Sequence, residues 1–156
     1  MGHIDDALNR LGIILPPAPK PVASYVPFVR SGNLVYISGQ LPSKEGKVLF
    51  TGAVGSPLSL SVEQGIEAAK LCTLNALAVL RDACGGDLDQ VARIVRIGVF
   101  VQSVDLFGEQ PKVANGASDL LVAIFGDAGK HARAAVGTNA LPLNAAVEIV
   151  LLAELK

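Results

Sequence analysis

Tryptophan is absent from this chain, aromatic residues make up only 4% of it, and it holds two cysteines. So few aromatic rings leave little on which nucleic-acid bases can stack. A net charge of −1 adds no general attraction for phosphate, and no basic cluster is denser than the scattered Arg93 and Arg96. No apolar run reaches the roughly 18 residues of a membrane helix. Residues 1–20 lack the basic start and continuous apolar core of a signal peptide. These absences lead us to expect a soluble, cytoplasmic protein with neither nucleic acid nor membrane as a partner. Met1, Gly2 and His3 are assigned no chemistry.

The two cysteines, Cys72 and Cys84, fall in one predicted helix, where their spacing corresponds to roughly 18 Å. That is too far for a disulfide within the helix. Neither has a histidine or second cysteine three or four residues away, so no metal site is expected. Both read as buried small hydrophobes.

What is present is apolar and small. At 156 residues and 51% apolar composition the chain suits one domain, residues 1–156, with its own core. Residues 4–13 read as a short amphipathic helix with Asp5 and Asp6 in its first turn, ended by the proline-rich run of residues 15–21. This N-terminal arm spans about residues 1–20, and the core follows from about 24 to 156. Strands are expected over Ser24 to Arg30 and Leu34 to Gly39 around a turn at Ser31, Gly32 and Asn33, with a second turn and a short strand after them. A capping box of Ser61 with Gln64 opens a long helix that stops at Gly85-Gly86. A strand over Val91 to Ser103, a helix from Pro111 to about Phe125, and strands near Ala132 to Gly137 and Ala146 to Glu154 complete the chain. Gly32, Gly39, Gly85 and Gly86 are read as turn residues, since none has the spacing of a phosphate-binding loop.

Right-handed crossovers make the three strands flanking these two helices parallel and put both helices on one face of the sheet. The fold class expected is therefore α+β, a mixed sheet with two helices on one face. The other face, rich in Val, Ile, Leu and Ala, is expected to be covered by further copies of the chain.

Two charges stand out in the last 25 residues. In the final strand Val147, Ile149, Leu151 and Ala153 point one way, and Glu148, Val150 and Leu152 the other. A carboxylate among apolar neighbours must be paired, hydrogen-bonded or protonated, and each outcome suits a group that moves protons. A structural carboxylate tied to backbone or to a neighbouring subunit is the alternative. Arg133 opens the preceding strand beside Ala134, Ala135 and Gly137, which are too small to cover its planar donor fork. An ordinary surface arginine is the alternative there. His131, two residues earlier, reads as a surface residue at a strand entrance.

The stretches "GNLVYISGQLP" (32–42) and "RAAVGTNALPLNAAVEI" (133–149) resemble the YjgF/reactive-intermediate deaminase family, also called endoribonuclease L-PSP. "VFVQSVDLF" and the Val113 to Asn115 "VAN" match it more weakly. The resemblance runs from about Tyr25 to Glu154. It implies a chorismate-mutase-like fold, a homotrimer with clefts between subunits, and cofactor-independent hydrolysis of 2-imino or enamino acids to 2-oxo acids and ammonia. In that scheme Arg133 grips the substrate carboxylate at two points and Glu148 activates the attacking water. Tyr25 and Ser38 line the cleft, and the backbone at Ala135 bonds the substrate nitrogen.

The chain departs from the family pattern in three places. Val150 stands where a second acid often follows the first. Ala23-Ser24 replaces Gly-Pro before the tyrosine. Extra length lies in the arm, in residues 49–61 and around Gly108. The other functions open to this pattern are a non-catalytic trimer that binds small carboxylated metabolites, and a ribonuclease. The lack of basic and aromatic surface weighs against the ribonuclease. Chorismate mutase activity would want several cations around a dicarboxylate, and only Arg133 is placed for that.

Overall fold

The computed structural model describes residues 2–21 and 23–156. Met1, the first residue of the arm, lies outside the described residues, as does Val22. Helix α1 (His3–Arg10) carries Asp5 and Asp6 in its first turn and Arg10 in its last, as the macrodipole favours. It ends before the prolines, because Gly12 takes φ +67° and the Gly12 and Ile13 amides fold back onto the carbonyls of Asn9 and Leu8. Its N-terminus is capped from far along the chain: the Asp89 carboxylate accepts hydrogen bonds from the amides of His3 (2.7 Å) and Ile4 (2.8 Å). Buried Ile4, Ala7 and Leu8 fasten the arm to the core.

Strand β1 (Phe28–Ser31) begins later than Ser24, since residues 24–27 form an exposed bend. It pairs antiparallel with β2 (Leu34–Gln40) through Gly32 at φ +60°. A two-residue hairpin follows, β3 (Ser43–Lys44) and β4 (Lys47–Val48), where a turn and one short strand were expected. Helix α2 (Val62–Ala83) starts at the capping box, with Ser61 and Gln64 each satisfying the other's backbone amide. Gly85 and Gly86, both at positive φ, end it. Strand β5 (Val91–Gln102), helix α3 (Gln110–Phe125) with Pro111 in its first turn, β6 (Ala132–Thr138) and β7 (Val147–Leu155) complete the order. Cys72 is buried and Cys84, just past the end of α2, only half-buried; both are free, and burial pushes both thiols up.

The main sheet has the order β1-β2-β7-β5-β6. The three strands flanking α2 and α3 are parallel in direction as expected, but β7 is inserted antiparallel between β2 and β5. All three helices lie on one side. Val35, Ile37, Ile97, Val99, Ile149 and Leu151 point under them and are buried. Gly116 has no room for a Cβ against the Ile66 carbonyl, so α3 packs tightly on α2. On the opposite side Tyr36, Phe100, Val136 and Val150 keep 36–49% of their surface exposed, so none of the described residues covers that face. Gly98 leaves a hollow of about 490 Å³ there, lined by Arg96, Phe100, Ala134, Val136 and Leu152 among others. No helix is long and apolar enough to cross a membrane among the described residues.

Candidate active site

Glu148 stands on the open face opposite Phe100, half-buried, as the alternation of its strand requires. Burial pushes its carboxyl above the ordinary value, and it has no hydrogen-bond or ion-pair partner among the described residues. What makes room for it is a β-bulge. Between Ile37 and Gln40 strand β2 advances three residues while β7 advances two, from Leu151 to Ile149. The extra residue falls at Ser38-Gly39, and Gly39 lies against Glu148. A Cβ built at Gly39 collides with the carboxylate Oε1 and comes within 3.0 Å of Cδ. Gly39 is thus a strand residue that clears space for the acid, not the turn residue expected from the sequence.

The same bulge turns Ser38 toward the preceding loop. Its amide donates to the Pro27 carbonyl (2.9 Å) and its hydroxyl to the Val26 carbonyl (2.6 Å). Ser38 therefore tethers the bend that carries Tyr25. That tyrosine is 52% exposed, at the same end of β2 as Gly39. Tyr25, Ser38, Gly39 and Glu148 form one half of the candidate site.

Arg133 lies elsewhere. In the sheet it is opposite Ile97, whose side chain is in the core, so Arg133 is on the helix side and at the sheet edge beside α3. Nη1 donates to Asn115 Oδ1 (2.8 Å) and to Ser118 Oγ (3.1 Å), one helical turn apart on α3. Ser118 Oγ is also 2.8 Å from His131 Nε2, and His131 Nδ1 is 2.6 Å from the Gly129 carbonyl. Both hydrogens of Nη1 are occupied, while Nε and Nη2 have no partner among the described residues. The fork therefore offers a carboxylate its side edge, Nε with Nη2. The Thr138 carbonyl turns inward to the Ser103 amide (3.1 Å), so alternation along β6 turns the N–H and C=O of Ala135 outward from the edge. Arg133, Asn115, Ser118 and the Ala135 backbone make a second half.

The halves do not meet within one chain. Three residues along the strands and two strand spacings separate Arg133 from Glu148, which amounts to about 14 Å between backbones. Their side chains leave opposite faces of the sheet. Asn115 and Ser118 carry too little sequence signal to be found from residue types alone; the hints are the weak family match over Val113 to Asn115 and the spacing of three between Asn115 and Ser118 on a helix. Among the described residues no three His, Cys, Asp or Glu side chains cluster as a metal site.

A mixed α+β sheet with its helices on one side defines the class of fold, and comparison with known proteins agrees. The family model described as YjgF/chorismate mutase-like, with endoribonuclease in its description, matches residues 5–155, and the chain belongs to this family. Protein TCP17 of Trypanosoma cruzi is 46% identical over 155 residues, 99% of this chain and 95% of that protein. The 2-iminobutanoate/2-iminopropanoate deaminase of Dermatophagoides farinae is 29% identical over 137 residues, 88% of this chain and 90% of that enzyme. Among solved structures, protein Atu1372 of Agrobacterium tumefaciens superposes with a TM-score of 0.91 at 46% identity, covering 99% of this chain and 93% of its own.

Proposed function

We propose that the protein is a hydrolytic deaminase of 2-imino and enamino acids, working without a cofactor as a homotrimer whose sites lie between subunits. The observation that carries this reading is the division of the site. An unpaired carboxylate, its carboxyl raised by burial, stands on an uncovered apolar sheet face, and an arginine with a free side edge sits on the opposite face and at the rim. A second copy packed on the open face brings its Arg133 edge to the first copy's Glu148, and the clefts repeat around a three-fold axis. Arg133 holds the substrate carboxylate through Nε and Nη2, and the outward Ala135 backbone bonds the substrate nitrogen. Glu148 takes a proton from water as the water oxygen bonds to the imine carbon and the C=N π pair moves to nitrogen, and it returns that proton to the nitrogen, giving a carbinolamine. Glu148 then takes the hydroxyl proton and passes it to the amino nitrogen as the C=O bond forms and the C–N bond breaks, and the products are a 2-oxo acid and ammonia. An imine carbon is already electrophilic, so orientation and one proton-handling group suffice. The activity named for the Dermatophagoides farinae relative supports the substrate class.

The test is ammonia release from a freshly generated 2-imino acid, with spontaneous hydrolysis subtracted. Glu148→Gln should lose a factor of about 10² to 10⁴, the usual contribution of a general base. Arg133→Lys should lose at least about tenfold, because an ammonium cannot reproduce the fork. Both variants should keep the mass of three chains by light scattering at micromolar concentration. A monomeric parent, or full activity in Glu148→Gln, would overturn the reading. A parent that binds 2-oxobutanoate without turnover would make it a binding protein instead.

A further inference from the structure

The guanidinium of Arg133 is not simply placed at the sheet edge; it is held at one nitrogen by a chain of hydrogen bonds that runs in a single direction. The Gly129 carbonyl can only accept, so His131 Nδ1 at 2.6 Å carries the hydrogen. In the neutral ring Nε2 is then an acceptor, and it takes the hydroxyl hydrogen of Ser118 across 2.8 Å. The Ser118 oxygen in turn accepts from Arg133 Nη1 at 3.1 Å. The far end is closely packed: Gly129 is buried, and a Cβ there would strike the Leu121 carbonyl and approach Val122 Cα to 3.0 Å, so its backbone lies directly against α3. Asn115 Oδ1 holds the other Nη1 hydrogen at 2.8 Å. Two anchors on one nitrogen fix both the plane and the rotation of the fork.

We infer that Ser118 and His131 are positioning residues for Arg133: they turn its Nε and Nη2 edge outward for a substrate carboxylate. This rests on the reading of Arg133 as the carboxylate clamp. A group that binds the carboxylate equally in ground and transition states should, when loosened, raise KM more than it lowers kcat.

Ser118→Ala, a change that suits a helix, is therefore expected to raise KM about tenfold with kcat within about twofold of the parent, and His131→Phe to do the same. Ser118→Thr, which keeps the hydroxyl, should restore the parent values. Ser118→Ala should add nothing in an Arg133→Ala background. Calorimetric binding of 2-oxobutanoate runs beside the kinetics, and Ser118→Ala should weaken it by the same factor. If the parent binds this 2-oxo acid without turnover and Ser118→Ala weakens that binding, the positioning role stands and the deaminase reading falls. If the parent turns over and Ser118→Ala leaves KM and binding unchanged, the positioning role falls alone. A parent that neither binds nor turns over defeats both, and a further loss from Ser118→Ala in the Arg133→Ala background defeats the positioning role alone.

Discussion

Gly39→Ala tests whether the acid sits where the bulge puts it. Gly39 is not among the residues at positive φ, so its backbone accepts alanine and the obstacle is Glu148 alone. The new Cβ would strike Glu148 Oε1 and lie 3.0 Å from its Cδ, closer than ordinary contact, with Cγ at an ordinary 3.4 Å. Overpacking of a rigid neighbour costs about 1–3 kcal/mol. The carboxylate is the end of a flexible side chain, and rotating it off its preferred rotamer costs about 0.5–1.5 kcal/mol. Against this, alanine in place of glycine restricts the unfolded chain and contributes about 0.4–1 kcal/mol. In the parent these effects nearly cancel, leaving Gly39→Ala between neutral and about 1 kcal/mol destabilising. In a Glu148→Ala background the collision is gone, and the same change should stabilise by about 0.5–1 kcal/mol. The coupling between the two positions is then about 1 kcal/mol. Urea denaturation of the four proteins at one protomer concentration measures it. Deaminase turnover of Gly39→Ala, with its carboxylate displaced, should drop at least about tenfold. Equal effects of Gly39→Ala in both backgrounds would show that the carboxylate does not rest on Gly39.

Two further outcomes follow from the charges. Because burial raises the Glu148 carboxyl, its ionisation costs stability that is lost as pH rises from the unfolded value through the folded one. Glu148→Gln should therefore melt no lower than the parent at pH 7, with any advantage vanishing below the ordinary carboxylate range; a lower melting temperature for the variant at pH 7 is the adverse result. Asp89 is shifted the other way, held low by the amides of Ile4 and His3, so the cap it provides is present above the usual carboxylate value and lost as pH falls through its folded one. Asp89→Ala should raise amide hydrogen exchange across residues 3–10 at neutral pH while the strands keep their protection, and unchanged exchange in the arm would refute the cap.

Local signals in the sequence determined most of the elements. The Ser61 and Gln64 capping box, Pro111, the Gly85-Gly86 stop and the alternation of Val147, Ile149 and Leu151 act within a few residues, so residue order alone sets the starts of α2 and α3, the end of α2 and the side of β7 on which Glu148 stands. The arginine near the head of β6 and the half-buried acid in β7 were legible as residue types for the same reason. What only the tertiary structure decided is how separate elements meet. Strand β7 slips between β2 and β5, the bulge turns Gly39 from a turn residue into the floor beneath Glu148, and α3 brings Asn115 and Ser118 to Arg133. The same register sets Arg133 and Glu148 on opposite faces, so the two charges nearest each other in the motif are divided by the sheet. Pairing partners and register arise from packing between residues far apart in the chain, and a one-residue bulge reverses which way a strand faces without leaving a mark in its composition.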